Sequence, residues 1–273
     1  MLRTAWALLR LSLLEMTAYR TNLIIWSIID AIFPLAMIFV WLTIYHGQAT
    51  VGGLTQSQML TYYIGVLLVT TTVSVHHEWD IERNIRSGNI KSYLAKPLPF
   101  WLTMVTQTLS WRLNASIVNI PVAVGLIWLI NHFLHLSSPY PFSWQFGLAL
   151  LGSLGIFMSM SFVLGYLAFF LDRVSGIIHA NDAVRAFASG FFLPLSLFPD
   201  WGQSLMRLLP YHFEFDFPIR VLIGTVGGIE FWLGLLTQFL WAALLTLIAI
   251  GMWEIGLRRY DAPEQVGVAG VEA

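Results

Sequence analysis

The chain of 273 residues contains no cysteine. That removes disulfide frameworks, thiolate metal sites and cysteine nucleophiles together, and leaves the redox compartment unreadable. Charge is nearly as scarce. Asp, Glu, Lys and Arg make up 11% of the chain, against about 25% in soluble domains. With 14 basic and 15 acidic residues, the balance gives no reason to expect nucleic acid as a partner. No G-x-x-x-x-G-K-[ST] phosphate loop occurs, so any ATP that drives this chain is hydrolysed on another polypeptide.

What is present is apolar. Hydrophobic residues form 57% of the sequence and mean hydropathy is +0.72, which points to a multi-pass membrane protein. A spanning helix needs about 20 mostly apolar residues, and six stretches qualify: 21–45, 58–76, 101–130, 143–170, 177–198 and 229–256. The third is longer than a bilayer requires, so its first turns, Arg112 included, are expected in water or headgroups. The fourth carries Gly147, Gly152, Gly155, Ser159, Ser161 and Gly165, small residues that let helix backbones approach closely. Arg10 and Glu15 interrupt the first apolar run, which is read as retained rather than as a cleaved signal. Leu2, Trp6, Leu9, Leu13 and Met16 recur at helical spacing with Arg3 and Arg10 elsewhere on the wheel. Residues 1–20 are therefore expected to form an amphipathic helix on the membrane surface, and 261–273 a disordered tail.

Basic residues alternate along the chain. Arg3, Arg10 and Arg20 precede the first span, Arg83, Arg86, Lys91 and Lys96 follow the second, Arg173 follows the fourth, and Arg258 and Arg259 follow the sixth. Loops 46–57 and 131–142 contain neither Lys nor Arg. The positive-inside rule then sets both termini in the cytoplasm.

Several constellations offer chemistry. His132 and His135 lie three apart without a carboxylate beside them, and His76 and His77 point about 100° apart on a helix, so no metal is expected. Ser189-Gly190 lacks the preceding Gly of an intramembrane serine protease motif. Asp30 lies about nine residues, roughly 13 Å, into the first span. A charge at that depth costs ~2.5–3.5 kcal/mol on insertion scales, so it is expected to face protein or water, either on a translocation pathway or in a hydrogen bond to a neighbouring helix. Phe191 to Gly224 reads as a kink at Pro194, a short helix capped by Asp200 and stopped by Pro210, and a second apolar turn ending at Gly224. That pattern suggests a hairpin dipping into the outer leaflet. Its aromatics Trp201, Tyr211, Phe213, Phe215 and Phe217 suit an outer gate, with Glu214 and Asp216 left wet.

The stretch WDIERNIRSGNIKSYLAKPL, Trp79 to Leu98, is the most polar loop between spans. Asp80 is expected to cap a short helix in which Ile81 and Ile85 form two apolar knobs beside Glu82, Arg83 and Arg86. Gly88 ends it, and a second turn closes at Pro97. Such a helix suits docking into a cleft of a soluble partner.

Together, the surface helix, the six spans with both ends inside, the IERNIRSGNIKSYLAKPL loop and the PLSLFPDW…LPYHFEFDFPIRVLIG segment resemble the type-2 ABC exporter permeases. The resemblance covers nearly the whole chain up to Tyr260 and lies nearest the branch whose permease genes come in pairs. It implies an all-α, six-span fold forming one transmembrane domain over residues 1–260. It also implies a permease dimer, identical or paired with a homologue, carried by two cytoplasmic ATPase subunits in the inner membrane. ATP and Mg would bind those subunits and not this chain, which is then no enzyme itself. The loop at 78–98 would contain the coupling helix, with Asp80, Ile81, Glu82, Arg83, Asn84, Ile85, Arg86, Ser87, Gly88 and Asn89 at the ATPase contact. The segment 199–224 would form re-entrant helices at the outer gate, and the first and fifth spans would face the second permease. A substrate that is amphipathic or lipid-, polysaccharide- or drug-like, together with membrane lipids, completes the expected partners. The rival readings are an ion-gradient transporter, for which inverted repeats and several intramembrane charges are missing, a membrane enzyme, and a six-span assembly protein.

Overall fold

The computed structural model describes residues 20–96, 98–133 and 143–260. The surface helix expected before Arg20, Pro97, His135 and the tail after Tyr260 lie outside them.

The described chain is almost entirely helical. Helix α1 (Arg20–Ile44) leads to a two-stranded hairpin, β1 (Thr50–Val51) and β2 (Leu54–Thr55). The turn between them uses Gly52 and Gly53 at φ +57° and +76°, the left-handed pair that a two-residue hairpin requires. Thr55 then caps α2 (Gln56–Val73) reciprocally: its hydroxyl accepts from the Gln58 amide, and its own amide donates to Gln58 Oε1. Short helices α3 (Glu78–Arg86) and α4 (Ile90–Leu94) follow, then α5 (Phe100–Phe133), α6 (Trp144–Tyr166), α7 (Ser175–Ala188), α8 (Asp200–Arg207), α9 (Asp216–Leu222) and α10 (Gly228–Tyr260).

Among the described residues, five helical stretches are long and apolar enough to cross a bilayer: Ile24–Ile44, Gln56–Arg86, Phe100–Phe133, Trp144–Phe169 and Gly228–Tyr260. They coincide with the first four and the sixth of the expected spans. The second is the centre of the bundle. Met59 to Val69 is buried on every side, as a helix apolar all round should be. The helix α6 packs closely on α10 where Gly152 meets Gln238 and Gly155 meets Ala242, the close approach that the small residues foretold.

The fifth expected span, 177–198, is not one helix. Its helix α7 has 14 residues, about 21 Å at 1.5 Å per residue, and stops at Ala188. The chain breaks at Gly190, held at φ +86° against the Tyr62 ring hydroxyl and Asp216. Pro194 therefore follows the end of a helix instead of kinking one. The two capping expectations also fail. Asp200 and Asp80 are first-turn residues of α8 and α3, whose cap positions, Pro199 and His77, make no side-chain bond to the helix amides. A carboxylate inside the first turn is still favoured by the helix dipole.

Candidate functional site

The loop at 78–98 is anchored by its apolar side. Ile81, Ile85 and Ile90 point inward and join Phe100, Met104, Tyr166, Phe169 and Ala249 in a cluster of their own. Ile81 lies against the bare backbone of Gly165 in α6. The reading of Ile81 and Ile85 as outward knobs is thus corrected: they key α3 into its own bundle. Glu82 is buried too, paired to Arg86 at 3.5 Å. What faces outward is polar. Arg83 pairs with Asp80 at 3.3 Å, the Asn84 amide donates to the Asp80 carbonyl at 2.8 Å, and Ser87 and Asn89 are exposed. Gly88 turns the chain at φ +77°. Lys91 sits 5.6 Å over the ring of Tyr260, tying α4 to the end of α10.

The segment 199–224 also turns its aromatics inward. Phe213, Phe215 and Phe217 are core side chains; Phe215 packs edge-on to Phe157 at 5.6 Å, and Phe217 covers Gly234. Trp201, by contrast, is 74% exposed. Glu214 and Asp216, expected to be wet, are buried because each finds a partner. Arg185 Nε lies 3.0 Å from Glu214 and His212 Nδ1 lies 3.2 Å from Asp216. Burial pushes the Glu214 carboxyl up to about 7 against the lowering pull of Arg185. The segment's backbone is pinned as well. The Phe213 carbonyl accepts from Ser153 Oγ and Gln238 Nε2, each at 2.9 Å, and the Tyr211 hydroxyl donates to Asn181 at 2.7 Å. Sequence reasoning gave Arg185 no partner. The sequence shows Asp182 and Arg185 one turn apart and Glu214 beside Asp216, but nothing in it pairs Arg185 with Glu214.

Asp30 lines a cavity of about 520 Å³ at the end of the bundle that carries the 78–98 loop. Arg112, expected in water or headgroups, turns towards α2 in the same cavity and donates to the Thr70 carbonyl at 2.9 Å.

Among the described residues, His76, Glu78 and Asp182 bring donor atoms within 4.8 Å of one another. The three are already engaged by protein. His76 pairs with Glu78 at 3.2 Å, Ser161 donates to Glu78, and Arg185 lies 3.3 Å from Asp182. A guanidinium at that distance opposes a cation, so the donor set fits a metal poorly.

A family model described as "ABC-2 family transporter protein" matches residues 31–263. No curated protein matches the chain.

Proposed function

The chain belongs to the ABC-2 transporter family, and from that premise we propose that it is the permease subunit of an ATP-binding cassette exporter. It moves an amphipathic lipid, polysaccharide or drug-like substrate outward across the inner membrane. ATP and Mg bind two cytoplasmic ATPase subunits, and a second permease, identical or homologous, completes the path. In this reading α7 and the chain up to Phe198 make the fifth of six crossings, both termini are cytoplasmic, and residues 199–224 fold back at the outer side.

One observation carries the coupling. Helix α3 has a polar outer face, Asp80, Arg83, Asn84 and Ser87, and an apolar inner face keyed to α6 through Gly165. A push on the polar face reaches the bundle through rigid contact, as a close-packed interior transmits displacement. The exposed apolar residues Ile25, Ile28 and Ile32 of α1 and Ile177, Val184 and Phe187 of α7 supply the face towards the second permease. Single cysteines along α1 and α7 in a functional complex should cross-link between subunits at helical spacing.

The test is co-purification with a candidate ATPase, followed by ATPase turnover and vesicle transport with added amphiphiles. Stimulated hydrolysis with ATP-dependent efflux supports the reading. Transport that persists without ATPase and collapses with an ionophore refutes it in favour of an ion-gradient transporter.

A further inference from the structure

The cavity holding Asp30 is lined by Trp26 and Asp30 of α1, His77 beyond α2, and Gln107, Trp111 and Arg112 of α5. Trp26 and Asp30 lie one turn apart on one face of α1, and Gln107 and Trp111 do the same on α5. Asp80 also lines it but is paired with Arg83 at 3.3 Å, so the polar chamber has indole walls and one open charge of each sign, Asp30 and Arg112. The two charges do not close an ion pair with each other, although each acts on the other. Arg112 spends one N–H on the Thr70 carbonyl, while its Nε is shielded from solvent and has no partner. The Asp30 carboxylate makes no hydrogen bond or ion pair among the described residues. Both groups thus retain bonding capacity for a third party.

Their depth selects the ligand. Asp30 stands about 15 Å along α1 and Arg112 about 18 Å along α5. Helix α5, with 34 residues, runs about 51 Å, some 20 Å more than the ~30 Å hydrocarbon layer. With that excess placed at the end carrying the polar 78–98 loop, the chamber falls near the boundary between headgroups and acyl chains. Onward from the charges both helices keep exposed apolar side chains: Ile32 and Phe39 on α1, Leu113 and Ile117 on α5.

We propose that this chamber binds a zwitterionic phospholipid headgroup, with the phosphate on Arg112, the ammonium on Asp30 beside the Trp26 ring, and the acyl chains along the apolar stretches beyond. A guanidinium suits a phosphate ester, an indole face suits an ammonium, and an anionic lipid such as phosphatidylglycerol offers Asp30 only hydroxyl donors and no cation. The assignment goes beyond the transport reading, because binding is a property of the permease alone.

Native mass spectrometry of the purified full chain tests it, with phosphatidylethanolamine and phosphatidylglycerol of equal chain length as probes. The wild-type chain should retain phosphatidylethanolamine about tenfold better, the order expected of one charged hydrogen bond. Asp30→Asn should equalise the two lipids, and Arg112→Gln should weaken both. Soluble phosphoethanolamine should bind more weakly than the lipid. Equal retention of both lipids by the wild-type chain overturns the proposal, as does an unchanged preference in Asp30→Asn. Binding of the soluble ester as tight as the lipid overturns the lipid assignment. Because Asp30 makes no contact that holds the fold, its variant decides the matter even if Arg112→Gln, which frees the Thr70 carbonyl, fails to fold.

Discussion

The contact between Gly165 and Ile81 makes coupling measurable. A Cβ added at Gly165 would stand 2.6 Å from the Cβ of Ile81, about 1 Å closer than the 3.5–4.0 Å at which carbon atoms rest. The obstacle is a Cβ, fixed to its backbone, so no rotamer change relieves it and the whole of α3 has to shift outward. Overpacking of this kind costs about 1–3 kcal/mol, against a gain of about 0.8–1 kcal/mol from replacing a helical Gly by Ala. Gly165→Ala should therefore destabilise the detergent-purified chain by up to about 2 kcal/mol. It should also lower substrate-stimulated ATPase activity in the complex, because α3 no longer sits where the bundle can drive it. Ile81→Gly, which removes that Cβ, should alone cost about 2–5 kcal/mol as a cavity and about 1 kcal/mol more as a helical glycine. In the double variant the new methyl enters space that Ile81 has vacated, so the cycle should show a favourable coupling of about 1–2 kcal/mol. Thermal unfolding by tryptophan fluorescence gives the first quantity, and turnover with the ATPase gives the second. Additive effects, or full coupling in Gly165→Ala, would refute the claim that α3 is keyed to α6 here.

Arg83→Glu should weaken ATPase association about tenfold, one charged contact, while leaving the melting temperature unchanged. Ile85→Asp should instead unfold the chain, since its side chain is buried. Glu214 holds a proton up to about pH 7 in the folded chain instead of the ordinary 4.5. Between those values the folded state binds a proton that the unfolded state has released, so stability is fullest below about 4.5 and falls as pH rises through 7. Glu214→Gln should flatten that pH profile of the melting temperature while lowering its level, because Arg185 loses its buried partner. Phe215→Ala and Phe217→Ala should each cost about 3–5 kcal/mol in thermal unfolding, and unchanged stability would show that these rings are not core.

The long helices were legible because apolar length alone selects them, and Gly152 and Gly155 read correctly because small residues have few uses inside a bilayer. The fifth span failed for a local reason. Residues 177–198 have the composition of a crossing, but the break at Gly190 depends on Tyr62 and Asp216 packing against it, contacts more than 25 residues away in either direction. The inward face of α3 failed for a different one. In a loop, two isoleucines one turn apart signal an apolar face but not its owner, and the bundle claimed it before any partner did.

The same ambiguity governs the charges, and the structure separates them by what each one meets. Arg185 and Glu214 meet each other at 3.0 Å under full burial. Removing either strands the other, so they act on stability first. Asp80 and Arg83 meet each other in the open, where such a pair adds little to stability, and so leave their charge available to a partner. Asp30 and Arg112 share a chamber and are both left incomplete. A half-buried charge without a partner is expensive to keep, and a cavity that leaves one carboxylate and one guanidinium open has the charge layout of a receptor for a molecule carrying both signs. Substitutions at the three pairs should then divide cleanly: the first moves the melting temperature, the second ATPase association, and the third lipid retention.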